Sequence, residues 1–434
     1  MSQAYKFFEN KKVLILGFGR EGRSTYNYIR KHLPQLPLAI ADQNHIHIDD
    51  KNTVCICGEG YLDVLNDYDV VMKSPGISIK NVHIKEGVDV TCQMELFLRF
   101  APCQKIGITG TKGKTTTSTL TYLMLKSAEI ETCLIGNVGV PVFEMIDSSK
   151  GLVAVIEMSS HQLEFVKTSP EVAIITNIYP EHLDHYNGFD GYVNAKLNII
   201  KNQTPKDIFI GNADQDILEF TDLEIESKRI NVSVNDDEDN EFLSKLAKLN
   251  SYLKGRHNAQ DIFFAAAAAS VFGADNKAIE KGVAQFYGIP HRMELVGKFK
   301  GIKFYNDCIA TIPTAVMLAV EALEDVDTLI IGGMDRGLDY GEFIKNLLSS
   351  NISNIICLPQ TGHTIGKELA KTCKNNVFYA QDMEEAVKLA FEKTSKGKSC
   401  LLSPAASSYN VYKNFEEKGN HFKELVKQYG LVSV

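Results

Sequence analysis

The run Gly107-Ile-Thr-Gly-Thr-Lys-Gly-Lys-Thr115 has the residue types and spacing that hold a nucleotide's phosphates. Glycines let backbone N–H groups approach phosphate oxygens closely, and a helix start adds the positive end of its dipole. Lys114 is placed to reach the β- and γ-phosphates, and the Thr115 hydroxyl to sit on Mg²⁺. The common longer spacing fails, because Ile108 stands where it needs glycine. The fit is to a tighter G-x-x-G-K-T that starts at Gly110. Gly110, Thr111, Lys112, Gly113, Lys114, Thr115 and Thr116 are therefore the candidate ATP cradle. The plain alternative is a β–α turn without a ligand. A strand approach from Gln104 and a Thr-rich helical run after Thr115 favour the cradle.

Other residues could work beside it. Glu157 ends a continuous apolar run from Leu152, where a magnesium-holding acid of a phosphate-loop enzyme sits; a strand-end carboxylate capping the next helix is the bland alternative. Ser159-Ser-His-Gln162 follows it. His182, Asp184 and His185 follow the next apolar run, Val172–Asn177. Their types permit zinc, but no fourth ligand is evident, and the neighbouring cradle already calls for Mg²⁺. Lys196 reads as an ordinary surface lysine. Arg292 suits a phosphate, and Asp307 a cation or ribose hydroxyls. Loops carrying Arg336 and Ser408 follow two further strands.

The elements that must position these groups are α/β. A second glycine motif, Gly17-Phe-Gly19-Arg-Glu-Gly22, lies between the apolar run Lys12–Leu16 and a helix to about His32, and a second strand ends at Asp42. That is a dinucleotide-type pattern with an acid about twenty residues on. Strand-like runs alternating with helical patterns continue to the C-terminus, as in parallel sheets. The chain divides into residues 1–100, 101–289 and 290–434: a Rossmann-like domain, a phosphate-loop α/β domain and a second Rossmann-like domain. Asn235–Glu241 is an acidic run that reads as a solvated loop, and Ile262–Ala274 as a buried helix too short to span a bilayer.

Composition narrows the class. A net charge of −8 argues against a nucleic-acid surface as the main business. Nine cysteines without a C-x-x-C pair form neither a disulfide framework nor a zinc motif, which suits reduced thiols in the cytoplasm. No signal-peptide or membrane-spanning segment is expected. Unaided, these features describe an ATP-dependent enzyme with a second nucleotide-like ligand.

Seven motifs in order resemble the Mur ligase family across the whole chain: Gly-Thr-Lys-Gly-Lys-Thr (110–115), Glu-Met-Ser-Ser-His-Gln-Leu (157–163), Glu-His-Leu-Asp-His (181–185), Gly-Arg-His-Asn (255–258), Pro-His-Arg-Met-Glu (290–294), Asn-Asp-x-x-Ala-Thr (306–311) and Leu-Ser-Pro-Ala-Ala-Ser-Ser (402–408). Within the family the resemblance is to the branch that adds glutamate, D-glutamate first, to UDP-N-acetylmuramoyl-L-alanine. It implies a UDP-binding domain, an ATP-binding domain and a closing C-terminal domain in a cytoplasmic monomer of peptidoglycan synthesis. It implies ATP and two Mg²⁺, one held by Thr115 and Glu157, the other served by His182 and a carbamylated Lys196. By the same resemblance Asn258, Arg292 and Asp307 serve ATP. Gly17, Gly19, Asp42, Ser74, Pro75, Gly76, Asn137, Ser159 and Gln162 serve the UDP substrate, so the first glycine motif takes UDP rather than NAD. Thr311, Arg336, Ser408 and Phe415 meet glutamate. The chain departs from the family at Lys112 and Asp261, where asparagine is common. It also departs at Ile309 and Ile312, where lysine and asparagine are usual, and at Arg336, where lysine is usual. These departures leave L-glutamate open as the added amino acid.

Overall fold

Apolar runs without polar alternation become strands covered on both faces, as parallel sheets require. In the computed structural model they build three sheets. The residues described are 3–138, 140–183, 185–186, 188–237, 241–250, 252–253, 255–335, 337–372, 376–408 and 411–431.

The first sheet holds β1 (Val13–Leu16), β2 (Leu38–Asp42), β3 (Thr53–Cys57), β4 (Val70–Lys73) and β5 (Asp89–Thr91), all parallel, in the order β3-β2-β1-β4-β5. The order reverses between β1 and β4, and ligands of such sheets bind at the strand C-termini of that reversal. The second sheet holds β6 (Gln104–Thr109), β7 (Thr132–Gly136), β8 (Val153–Glu157), β9 (Val172–Ile175), β10 (Ile208–Asn212) and β11 (Lys228–Val232), again all parallel, in the order β11-β10-β9-β6-β8-β7. β6 is therefore flanked by β8 and β9, and the loops after all three open at one end of the sheet. The third sheet holds β12 (Glu294–Phe299), β13 (Ile302–Asn306), β14 (Val326–Ile331), β15 (Asn354–Cys357), β16 (Asn376–Tyr379) and β17 (Ser399–Leu402), in the order β12-β13-β17-β14-β15-β16. Only the edge strand β12 is antiparallel in it.

Contacts divide the chain into two compact units, residues 1–286 and 287–434. In the first unit one apolar cluster runs from Val13 and Ile15 of β1 through Phe97 to Ile156 of β8 and Phe209 of β10, so its two sheets share a core. In the second, clusters around Phe304 and Phe422 and around Leu329 and Leu401 cover the two faces of the third sheet.

The helix Arg256–Val271 contains the alanine run and is buried along most of its length. The acidic run is not wholly a loop: Val234–Asp237 forms a helical turn. The Val234 amide donates to Asp214 and the Asn235 amide to the Ser233 hydroxyl, which start that turn. Residues 238–240 lie outside the described residues. Among the described residues no helix is long and apolar enough to cross a membrane.

Candidate active site

β6 delivers the chain to Gly110 at φ +151°, and the loop closes at Gly113 with φ +84°. A Cβ on Gly110 would lie 1.9 Å from Thr176 Oγ1, and one on Gly113 2.2 Å from Asp261 Oδ1, so both positions exclude any side chain. The loop is pinned from the β9 side. Thr111 N–H donates to Asn177 O at 2.8 Å, Lys112 N–H to Asn177 Oδ1 at 2.9 Å, and Thr176 Oγ1 to Lys112 O at 2.6 Å. The helix Lys114–Ser127 then starts, and its ladder opens with Thr117 N–H to Gly113 O at 2.9 Å. The amides ahead of that bond stand at the positive end of the helix dipole, which is an anion-binding arrangement. The Lys114 ammonium curls over the loop, 2.9 Å from Gly110 O and 3.0 Å from Thr111 O. Thr115 and Thr116 occupy the first helical turn, half-buried.

Glu157 stands at the end of β8, in register with Ile108 of β6, and is 1% exposed. Its Oε1 accepts from Asn137 Nδ2 at 2.6 Å, while Oε2 is buried with no donor among the described residues. A buried carboxylate oxygen lacking a donor, one strand from a phosphate loop, fits a divalent cation. Gly136 makes room for this acid, since a Cβ there would meet Glu157 O at 2.3 Å.

Lys196 is not the surface lysine its composition suggests; it is 1% exposed on the helix Gly188–Leu197. Its Nζ donates to Gly110 O at 2.8 Å and to Thr109 Oγ1 at 3.4 Å, and lies 4.8 Å from the centre of the Tyr192 ring. Burial, then the charge of Lys114, hold its pKa well below the usual lysine value; Glu181 and Glu157 oppose the shift. Tyr192, Val193, Ala195 and Leu197 on the same helix are buried with it.

His182 adopts φ +55° on the loop after β9, its side chain half exposed and 4.0 Å from Glu181. His161 links it to His185, with ring centres 4.8 Å and 4.3 Å apart. Burial, then the charges of His185, His182 and Lys73, push His161 down to about 4. Asp184 lies outside the described residues.

At the β1–β4 reversal the first glycine motif forms a second cradle. Gly17 has φ +87°, and Ser74 Oγ donates to its carbonyl at 2.9 Å. A Cβ on Gly22 would meet Gly17 O at 2.0 Å, whereas one on Gly19 would meet nothing within 4 Å. Gly17 and Gly22 thus serve packing, and Gly19 is the open position. Asp42 accepts from Phe18 N–H at 2.7 Å and from Asn44 N–H at 2.7 Å, so its carboxylate shapes this loop. Pro75 and Gly76 sit in the turn that Ile77 N–H closes onto Ser74 O. Ser159 and Gln162 form a capping box on the short helix Ser160–Leu163. Gln162 Nε2 also donates to Glu21 Oε1 at 2.7 Å, joining the loop after β8 to the helix of the first glycine motif. Glu21 was not a sequence candidate; burial raises its pKa.

In the second unit Asp307 follows β13 and is 3% exposed. It accepts from Ser403 Oγ at 2.7 Å and from Met293 N–H at 3.1 Å, and burial pushes its pKa up to about 6. Arg292 is exposed between His291 and Met293, which both have positive φ. Phe415 begins the helix Phe415–Leu431, its ring 5.8 Å from that of His291. Thr311 is half-buried, and Ser408 is buried with no partner for its hydroxyl among the described residues. The loops after β14 and β17 are tied together by Gly332 N–H to Pro404 O at 2.8 Å and Met334 N–H to Ser407 O at 2.7 Å. Arg336, in the first of them, lies outside the described residues.

Residues 108–269 match the Mur ligase middle domain, and residues 291–406 the Mur ligase glutamate ligase domain. A UDP-N-acetylmuramoylalanine–D-glutamate ligase of Acetivibrio thermocellus is 34% identical over 97% of each chain. One of Clostridium acetobutylicum is 32% identical, again over 97% of each. The chain belongs to the Mur ligase family. Two solved Mur ligases of Thermotoga maritima share its fold at lower identity. One is a UDP-N-acetylmuramate-alanine ligase, MurC, at 19% identity and a TM-score of 0.56, covering 97% of this chain and all of that one. The other is a MurF ligase in complex with ADP, at 15% identity and a TM-score of 0.52, covering 99% of this chain and all of that one.

In this Mur ligase half-buried Asn258 lies on the helix Arg256–Val271, and Asp261, one turn on, faces Gly113 of the phosphate loop. Asp261 is 5% exposed and accepts from Thr117 Oγ1 at 3.2 Å; burial pushes its pKa from 3.8 to about 8. The folded protein therefore keeps a proton that the unfolded chain loses near pH 4, so this group makes stability fall as pH rises from there to about 8. Asp261→Asn should remove that slope. Near pH 9 the variant should be more stable than wild type to denaturant by at least about 1 kcal/mol, with the gap shrinking towards pH 5. A gap independent of pH would contradict this account of Asp261.

Proposed function

We propose that this protein adds glutamate, D-glutamate first, to UDP-N-acetylmuramoyl-L-alanine at the expense of ATP. The observation that carries the reading is the near-full-length likeness to ligases named for that reaction. The site supplies the chemistry. A carboxylate is a poor electrophile, and its phosphorylation brings two anions together, so cations must neutralise the transferring phosphoryl group. Lys114 and the loop amides draw charge from the β- and γ-phosphates. The alanine carboxylate attacks the γ-phosphorus, and ADP leaves. The glutamate amine then attacks the acyl phosphate carbon, loses a proton and expels inorganic phosphate.

Thr115 and the Oε2 of Glu157 would hold one Mg²⁺, with His182 and Lys196, as its carbamate, serving a second. Magnesium supplies Lewis-acid neutralisation of phosphate oxygens. A neutral Lys196 amine is the form that takes up carbon dioxide, and its depressed pKa favours that form. Asn258, Arg292 and Asp307 are assigned to the nucleotide.

The cradle of Gly17, Gly19 and Ser74-Pro75-Gly76 is assigned to the uridine diphosphate, with Asp42 shaping it. Asn137, Ser159 and Gln162 are assigned to the muramoyl part. Thr311, Arg336, Ser408 and Phe415 are assigned to glutamate, the buried Ser408 hydroxyl offering a donor. Residues 1–100, 101–289 and 290–434 then divide the work as UDP-binding, ATP-binding and closing domains of a cytoplasmic monomer.

Ile309 and Ile312 replace a lysine and an asparagine usual in D-glutamate ligases, which favours testing L-glutamate as the second reading. ATP-dependent incorporation of labelled D- and L-glutamate into UDP-N-acetylmuramoyl-L-alanine, run side by side, tests both. Incorporation of neither would overturn the reading, and incorporation of another amino acid instead would move the protein to a different Mur or folylpolyglutamate-type ligase.

A further inference from the structure

We propose that Lys112 is a phosphate-contacting residue that Glu181 holds in reserve, and that an arriving nucleotide phosphate takes its ammonium from the carboxylate. The inference rests on the nucleotide reading of the loop. The backbone of Lys112 is fixed by its amide bond to Asn177 Oδ1 and by donors to its carbonyl from Thr176 Oγ1 at 2.6 Å and Asn177 Nδ2 at 3.1 Å. Its side chain is not fixed in that way. It is 70% exposed, and its Nζ meets Glu181 Oε1 at 2.8 Å. A rigid base with a solvent-borne head lets the ammonium swing about its own stem without disturbing the cradle.

Charge decides the direction of the exchange. An exposed lysine–carboxylate pair contributes little, because water screens it and two side chains lose freedom. An ammonium on a phosphate makes a stronger charge-assisted bond, with more negative charge to meet. The same loop already gathers Lys114 and Lys196 around Gly110, so the local field draws a polyanion, and the Lys114 charge still favours the Glu181 carboxylate once Lys112 has left it. The exchange leaves Glu181 beside His182, whose ring nitrogen is 4.0 Å from its other oxygen.

Calorimetric titration of the full-length protein with ADP and with adenosine, in low-salt buffer with chelator, tests this without turnover. Lys112→Met should weaken ADP about tenfold and leave adenosine unchanged, and Lys112→Arg should restore ADP binding. Glu181→Gln should tighten ADP about threefold, and this gain should shrink when Lys112→Met is also present. ADP affinity within about twofold of wild type in Lys112→Met, or no tightening in Glu181→Gln, overturns the inference while the nucleotide reading stands. A wild-type protein that binds no ADP overturns both.

Discussion

Lys114→Ala should lower turnover by about a thousandfold or more while leaving the folded protein intact. The two halves of that expectation have separate causes. The ammonium is the charge that the loop backbone cannot supply: amides donate hydrogen bonds but carry only partial charge, and the phosphoryl group passes through its transition state with charge spread over its oxygens. Removing the ammonium removes stabilisation that grows as the reaction proceeds. The fold does not depend on it, because the loop is held by Asn177 and Thr176 and by the Gly110 and Gly113 geometry. The ammonium's bonds to Gly110 O and Thr111 O reach carbonyls of the loop itself. Thermal unfolding of the variant should stay close to wild type. Turnover within about tenfold of wild type would remove Lys114 from its assigned role.

Lys196→Ala should lose about a hundredfold or more of turnover, and a short carboxylic acid such as acetate or propionate should restore part of it. Lys196 is buried against Gly110 and Thr109, with burial and Lys114 both pressing it towards the neutral amine. Carbamylation converts that neutral amine into a carboxylate-like group and places a negative charge beside Lys114 and a cation. Truncation leaves a cavity of the shape vacated by the side chain, which a small carboxylate can enter. Wild-type protein equilibrated with ¹³C-bicarbonate should show a carbamate carbonyl resonance that Lys196→Ala lacks. Absence of both the resonance and the rescue would refute the carbamate, and loss of turnover alone would then report only packing around Tyr192.

The phosphate loop and Glu157 were legible in sequence because each is local: a strand, a turn or strand end, and residue types that chemistry restricts. The central strands β1, β6, β8, β9 and β14 were legible for the same reason, as continuous apolar runs. β12 was not, because Gly297 and Lys298 interrupt its apolar residues, and β3, whose run Val54–Cys57 is short, lies mostly half-buried at the sheet edge. Lys196 was misread because a lysine is buried only by tertiary neighbours, and nothing in its own type announces them. The Glu21–Gln162 bond joins residues 141 apart in sequence, a separation no local pattern reports. Asp42 was found by spacing, but its bonds to Phe18 and Asn44 define a loop-shaping role that spacing alone does not contain.

Formation of an acyl phosphate on the alanine carboxylate is the central claim, and oxygen transfer measures it most directly. UDP-N-acetylmuramoyl-L-alanine labelled with ¹⁸O in that carboxylate is turned over with ATP and glutamate, and the released phosphate is analysed by mass. The account predicts one ¹⁸O carried into each inorganic phosphate formed. Turnover that yields unlabelled phosphate would contradict it.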